Sequence, residues 1–391
     1  MSTSFKIPFK GRGHSYSQKE INLVTEIMSD SDTLTQGKYL KLFEKKYRDF
    51  LGVDHAFAMS SATSALEIAA QLCEFSSGDE IIIPSHTYTS SAYPFVKKGA
   101  NVVWADIDFQ SRVLNLEAIE NKVTKKTKAV VVVHLYGYLA DMPEISEFCE
   151  NNNLILIEDC AQSLGTSLNG NRAGSFGDIS IFSHHSQKNI STLGEGGVLV
   201  VKNPELARLV PMLRHNGHTG FENQEYYWKP AMSNVVFPKL NGKYIEPSNY
   251  CLGEPQCAVG SEIIDRVDSV NSLKRNRAIR FIDELSEFDQ LIFHRVDHER
   301  HNYQHLVAFV QDNKRDDFIL RMSSDRGIQC VVQYYPLHRY PYYIKHGLGE
   351  ADCPNTEVFF DNMVSFPFFE TMSEKDLEYM LESTLSTLKS I

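Results

Sequence analysis

The chain has little of what marks a secreted, membrane-spanning or nucleic-acid-binding protein. Its seven cysteines, at positions 73, 149, 160, 251, 257, 330 and 353, include no CxxC pair. An odd, scattered set of this kind reads as reduced thiols, not as a disulfide framework. No metal site is expected. No run approaches the roughly 18 consecutive apolar residues of a membrane helix. The opening MSTSFKIPFKGRG lacks the apolar stretch of a signal peptide. Basic residues are outnumbered, with 39 Lys and Arg against 50 Asp and Glu and a formal net charge of -11. That balance argues against nucleic-acid binding, which needs clustered basic side chains, although a local pocket can still be basic. Repeats and low-complexity segments are also missing. The expectation is a soluble cytoplasmic protein with neither nucleic acid nor membrane as partner.

What is present is an ordinary globular composition, 42% hydrophobic and 23% charged over 391 residues. That length suits two or three domains. Seven short apolar runs lie between residues 55 and 201: HAFAM (55–59), EIIIP (80–84), NVVWAD (101–106), AVVVVH (129–134), LILIED (154–159), ISIF (179–182) and GVLVV (197–201). Several are continuously apolar, as in strands of a mostly parallel sheet covered on both faces. Helical patterns such as 64–75 and 142–153 fit between them, so the alternation predicts a layered α/β domain. A helix is expected over 17–30 and a loop-rich segment over 220–250. One long amphipathic helix is expected over 262–288. The mixed elements after it suggest a smaller α+β domain, dividing the chain into 1–250 and 251–391.

Ligands of such sheets sit beyond the carboxyl ends of the strands, so the residues following each run are the candidates. Asp159 closes the run LILIED, with one residue between it and the apolar LILI, and would be partly buried, where a carboxylate needs a cationic partner or takes up a proton. Its ordinary reading is a helix cap. SSATSALEIAA (60–70) gathers hydroxyls and free N–H groups at a helix start, a natural phosphate cradle. SHTYTSSAY (85–93) offers Tyr88 for stacking on a flat ring, where plain packing is the commoner role. Lys188, in SHHSQKNISTLGEGG (183–197), precedes a glycine-rich run. Each signal is weak alone. Together they match what pyridoxal phosphate needs: a phosphate site, an anion keeping the ring nitrogen protonated, and an amine.

On these words the sequence resembles the DegT/DnrJ/EryC1/StrS sugar aminotransferases. The matching stretches are SATSALE (61–67), PSHTYTSSA (84–92), VHLYGYLADM (133–142), IEDCAQSLG (157–165), GSFGDISIFS (174–183), KNISTLGEGG (188–197) and YYPLHRYPYY (334–343). The resemblance implies a type I, aspartate aminotransferase-like fold: a mostly parallel seven-stranded sheet with a smaller C-terminal α+β domain. It implies that Lys188 forms the Schiff base with pyridoxal 5'-phosphate and that Asp159 pairs with the pyridinium. Gln162 would bond the phenolic oxygen and Tyr88 would cover the ring. Ala62, Thr63, Ser64 and Ser183 would hold the phosphate, and Asn249 would reach the phosphate of the neighbouring subunit in a homodimer. His185, Tyr335 and His338 would meet substrate. The expected reaction converts a keto sugar, nucleotide-linked and 4-keto or 3-keto, to an amino sugar, with L-glutamate as the amino-acid donor.

Three departures stand out. Cys251 occupies a position that is commonly arginine in such proteins, the 220–248 loop is long, and His184 stands where phenylalanine is frequent. Two other readings stay open: a sugar dehydratase of the same fold, which the retained Lys188 argues against, and a relative that binds the cofactor without turnover.

Overall fold

The computed structural model describes residues 5–220, 226, 228, 234–294 and 297–391. All seven apolar runs form strands of one sheet: β1 (Ala56–Met59), β2 (Glu80–Pro84), β3 (Asn101–Ala105), β4 (Thr127–Val133), β5 (Ile155–Asp159), β6 (Ile179–Ser183) and β7 (Gly197–Val201). Their spatial order is β1-β7-β6-β5-β4-β2-β3. Strand β7 runs antiparallel to β1 and β6, and the remaining pairs are parallel. Residues 129–133 of β4 and the whole of β7 are buried, as continuous Val-rich runs require when both faces are covered.

Caps explain where the first helices begin. Helix α1 (Gln18–Asp30) starts at a capping box in which Ser17 and Glu20 satisfy each other's backbone N–H groups. After α2 (Lys38–Leu51) and β1, helix α3 (Ala62–Leu72) starts at a second box made by Ser61 and Ser64. The pattern at 142–153 forms α4 (Met142–Asn151).

The long helix expected over 262–288 is instead two. Helix α5 (Glu254–Ile263) and helix α6 (Val267–Glu284) are separated by a 3-10 turn at Ile264–Arg266. The apolar spacing runs on through the turn, but the residues serve different cores. Ile263, Ile264 and Val267 pack in the core of the large sheet, whereas Ala278 and Phe281 pack in a second core. At the turn, Arg266 reaches Glu20 and the carbonyl of Ser15.

That second core lies under a three-stranded antiparallel sheet of β8 (Leu291–Ile292), β9 (Leu306–Val310) and β10 (Met363–Phe366). Helices α7 (Arg315–Ser324) and α8 (Glu374–Leu388) complete it, and Ile7 from the start of the chain joins it. Residues late in the chain, among them Val307, Leu337, Tyr343 and Phe359, return to the large core, so the two cores alternate along the sequence. Within the long 220–248 loop, residues 221–225, 227 and 229–233 lie outside the described residues. Among the described residues no helix is long and apolar enough to cross a membrane.

Candidate active site

A cavity of about 300 Å³ opens at the carboxyl ends of β5 and β6, beside the start of α3. Ala62, Thr63, Tyr88, Asp159, Gln162, Ser183, His185 and Lys188 all line it. Eight of the candidates, some read from strand ends and others implied by the family resemblance, thus lie at one place.

Asp159 is the last residue of β5 and is only 4% exposed. Its two oxygens have different partners. One accepts from Ser91 Oγ at 2.7 Å, and the other from the N–H of Ala161 at 3.0 Å. The cap reading therefore describes one oxygen and leaves the other to face the cavity beside Ser91. Burial raises the carboxyl's pKa, while the two hydrogen bonds and the charge of Lys188 oppose that rise.

Lys188 lies in the loop between β6 and β7. Among the described residues its Nζ has no hydrogen-bond partner. Burial lowers its pKa from 10.5 to about 8, with the charge of Asp159 working against the drop. The loop itself is firmly held. Gly13 donates its N–H to Ser186 O at 2.8 Å, and Ser186 Oγ donates to Gly11 O at 2.8 Å. A Cβ on Gly13 would stand 2.3 Å from the carbonyl of Lys188, so only glycine fits there.

A layer behind the loop grips the two residues that flank the lysine. Gln304 accepts from the N–H of Asn189 at 2.9 Å and donates through Nε2 to Gln187 O at 2.8 Å. Lys274, 1% exposed on α6, donates to Asn189 Oδ1 at 2.7 Å and Gln304 O at 3.2 Å. Asn271 and Asn302 extend this layer to Leu164 O and Gln162 O, at 2.8 and 2.9 Å. The lysine loop and the loop carrying Gln162 are thereby fixed to the same support.

The helix start behaves as a cradle, with one correction. Thr63 Oγ1 lies 2.9 Å from Ser90 Oγ, and the positive end of α3 is directed at the cavity with Ser61, Ala62 and Thr63 on its rim. Ser64 does not line the cavity. Its hydroxyl is taken by the capping box, accepting from Ser61 N and donating to Ser61 O at 2.7 Å. Gly197 supplies the close approach of β7, because a Cβ there would come within 2.4 Å of the Ser61 backbone.

Two of the three expected substrate residues are elsewhere. Tyr335 packs edge-on against Tyr340 and Phe360. His338 is buried between Ser85, at 2.6 Å from Nδ1, and Glu357, at 2.7 Å from Nε2. The residue that does reach the cavity is Tyr334, whose hydroxyl accepts from Gln162 Nε2 at 3.0 Å. Gln162 Oε1 in turn accepts from the N–H of Tyr136 at 2.7 Å, which fixes its amide with the NH₂ toward the cavity. His185 stays at the cavity with Glu195 at 3.8 Å, while His184 is buried against Phe43 and Tyr47. Asn249 is exposed and does not line this chain's own cavity.

Sequence reasoning missed Ser90, Ser91, Gln333, Tyr334 and the Lys274 layer. Ser90 and Ser91 stood within SHTYTSSAY, but a loop has no period from which to read which hydroxyl turns inward.

Pyridoxal phosphate fits this donor set. Hydroxyls and a helix start suit a phosphate, the buried carboxylate suits a protonated pyridine nitrogen, and the unpartnered amine suits an aldehyde. Fold and site together define a pyridoxal-phosphate-dependent aminotransferase of the type I fold. The chain belongs to the DegT/DnrJ/EryC1/StrS aminotransferase family, whose model matches residues 15–384. It is 30% identical over 385 residues to the spore coat polysaccharide biosynthesis protein SpsC of Bacillus subtilis, covering 95% of each chain. It is 31% identical over 336 residues to the GDP-perosamine synthase of Vibrio cholerae, covering 85% of this chain and 86% of that one. Its fold matches that of Helicobacter pylori PseC, an aminotransferase involved in the biosynthesis of pseudoaminic acid. The TM-score is 0.88 at 24% identity, covering 98% of this chain and 100% of the other. The protein is an enzyme, a sugar aminotransferase that uses pyridoxal phosphate.

Proposed function

We propose that the enzyme aminates a nucleotide-linked sugar at a 3-keto or 4-keto carbon, drawing nitrogen from L-glutamate, to make an amino sugar for surface polysaccharide. The observation that carries this reading is the unpartnered amine of Lys188, set with Asp159 and Gln162 around one cavity. Bound pyridoxal phosphate supplies the electron sink that makes the donor's α-proton removable. Lys188 would supply the amine that holds the cofactor's aldehyde and would be the base that takes up the donor's α-proton. Asp159 holds a proton on the ring nitrogen, with Ser91 fixing the carboxylate's aim. Gln162 Nε2, which donates to the Tyr334 hydroxyl in this structure, would be the donor to the phenolic oxygen. Thr63, Ser183 and the first turn of α3 hold the phosphate, with Ser64 supporting them as a cap. Tyr88 covers the ring, and His185 meets the sugar.

The same reading makes the functional unit a cytoplasmic homodimer of two-domain chains. The two domains of this reading are residues 1–250 and 251–391. Asn249 would serve the partner's phosphate, a reading supported by its exposure and by its not lining the chain's own cavity. Lys188→Ala and Asn249→Asp, each inactive or severely weakened alone, are expected to recover about a quarter of wild-type activity on random subunit exchange. Activity no higher than the average of the parents sinks the shared site. The acceptor is tested by mixing the aminated enzyme with 3-keto and 4-keto nucleotide sugars and following the cofactor's absorbance. Reaction with the sugars only when they are free of nucleotide overturns the proposal.

A further inference from the structure

The described residues include two arginines exposed by 5% or less, and only one is paired. Arg214 donates to Glu44 and to Ala58 O at 2.8 Å. Arg112, 2% exposed in the loop after β3, makes no side-chain hydrogen bond or ion pair among the described residues, and its Nε and Nη1 are buried without partners there. The nearest acid, Asp108, has an oxygen engaged by the N–H groups of Gln110 and Ser111, at 3.0 and 2.7 Å. A buried, uncompensated charge is among the costliest arrangements in a folded protein.

Its surroundings do not remove the charge; they shape it. The rings of Phe109 and Phe359 lie on the guanidinium, with centroids 4.2 and 4.4 Å from Cζ. Such cation–π contacts offset part of the desolvation but use only the faces of the group. The N–H donors lie in its plane and remain available. Behind it, His86 Nδ1 and His294 Nε2 are likewise buried without partners. In front, Arg112 lines a cavity of about 230 Å³ with Phe109, Gln110, Ile292 and Phe293. This cavity is separate from the one holding Lys188, and it lies where the loop after β3 meets the edge strand β8.

We propose that this second cavity binds a small oxyanion, a carboxylate or a phosphate, through the in-plane edge of the Arg112 guanidinium. The fork geometry of arginine matches two oxygens of either group, and the aromatic and aliphatic walls strengthen the interaction by excluding water. Burial lowers the pKa of Arg112 to about 10, so the group still carries its charge at neutral pH and an anion neutralises it. Lysine or glutamine would not replace it, because neither presents a charged planar fork.

The test is thermal unfolding of the holoenzyme, titrated with inorganic phosphate and separately with acetate at constant ionic strength. The wild type is expected to gain roughly 2 to 4 °C at saturation with at least one of them. Arg112→Met, which removes the charge and keeps an apolar chain of similar length, is expected to lose that gain. Anions held in the catalytic cavity stabilise both proteins alike and cancel in the comparison. Response to phosphate alone, acetate alone or both assigns the ligand as phosphate, carboxylate or either. An equal response in wild type and variant, or none in wild type, overturns the proposal. If Arg112→Met does not fold, wild-type holoenzyme crystals soaked in selenate decide it. An anomalous peak at the guanidinium edge supports the site, and water or nothing there refutes it.

Discussion

The wall of the catalytic cavity holds a partly buried lysine and the layer behind it a fully buried one, and they are used in opposite ways. Lys188 and Lys274 both lose basicity through burial, to about 8 and about 7, and neither is bonded to a carboxylate. Lys188 faces the cavity with no hydrogen-bond partner. Lys274 donates to Asn189 and Gln304, the residues that hold the Lys188 loop. Desolvation alone therefore does not make a lysine reactive. What separates the two is whether the protein leaves the amine something to bond, and the empty position in front of Lys188 is what a reactant fills.

The sharpest way to break the comparison is to remove the amine at the wall. Lys188→Ala is expected to lower turnover by at least about a thousandfold, because the group that moves the proton is gone. Borohydride treatment of the loaded wild type is expected to fix the cofactor on Lys188. Peptide mapping that finds it on Lys274 or elsewhere would reverse the two roles. Asp159→Asn comes next, with a loss on the order of a hundredfold in kcat and cofactor retained through dialysis. Near-normal activity would reduce Asp159 to a cap for Ala161.

Lys274→Met tests the other side. Loosening the loop from behind is expected to cost about tenfold in kcat with KM for the donor little changed, the signature of a misplaced reacting group. The same variant has a pH signature. An unfolded lysine keeps its proton to a pH of about 10.4, whereas folded Lys274 releases it near 7. Between those values the unfolded chain binds more protons, so this lysine makes stability rise with pH. Below about 7 the destabilisation is fully present, and it is relieved as pH climbs. Urea denaturation at several pH values should show a flatter slope in the variant. An unchanged slope means that Lys274 is not titrating there. The smallest effect is expected from Tyr335→Phe, within about twofold in kcat/KM. A tenfold loss would return Tyr335 to the site from its place against Tyr340 and Phe360.

The sheet was legible because each of its strands is a short apolar run bounded by polar residues, and the strand-end rule then pointed at Asp159, the start of α3 and the stretch holding Tyr88, while Ser183 came from the family resemblance. Other features left no such trace. The apolar spacing over 262–288 continues across the break at Ile264–Arg266, since a 3-10 turn shifts direction without changing composition. Lys274 sits in LKRNR, which reads as a solvated basic face, and only the packing of α6 shows that one of these side chains points inward. Tyr334 and Tyr335 are adjacent in an irregular segment, so nothing in the sequence says which enters the cavity. Ser64 had the right composition for a phosphate ligand, and its hydroxyl was taken by the helix cap.

The short segment at Gly11–Gly13 has a consequence for how the enzyme is made. Its contacts with Ser186 underpin the Lys188 loop, and Gly13 O also accepts from the N–H of Glu370. Those partners are translated far later than the segment itself. The bonds to Ser186 can form once that stretch has emerged, whereas the bond from Glu370 waits for the C-terminal part. The β-strands can pair as they appear, but the loop bearing the reactive amine acquires its final support only when the C-terminal part is present. The catalytic loop thus rests on contacts among three distant stretches, around residues 11–13, 186 and 370, and losing any one of them loosens the others.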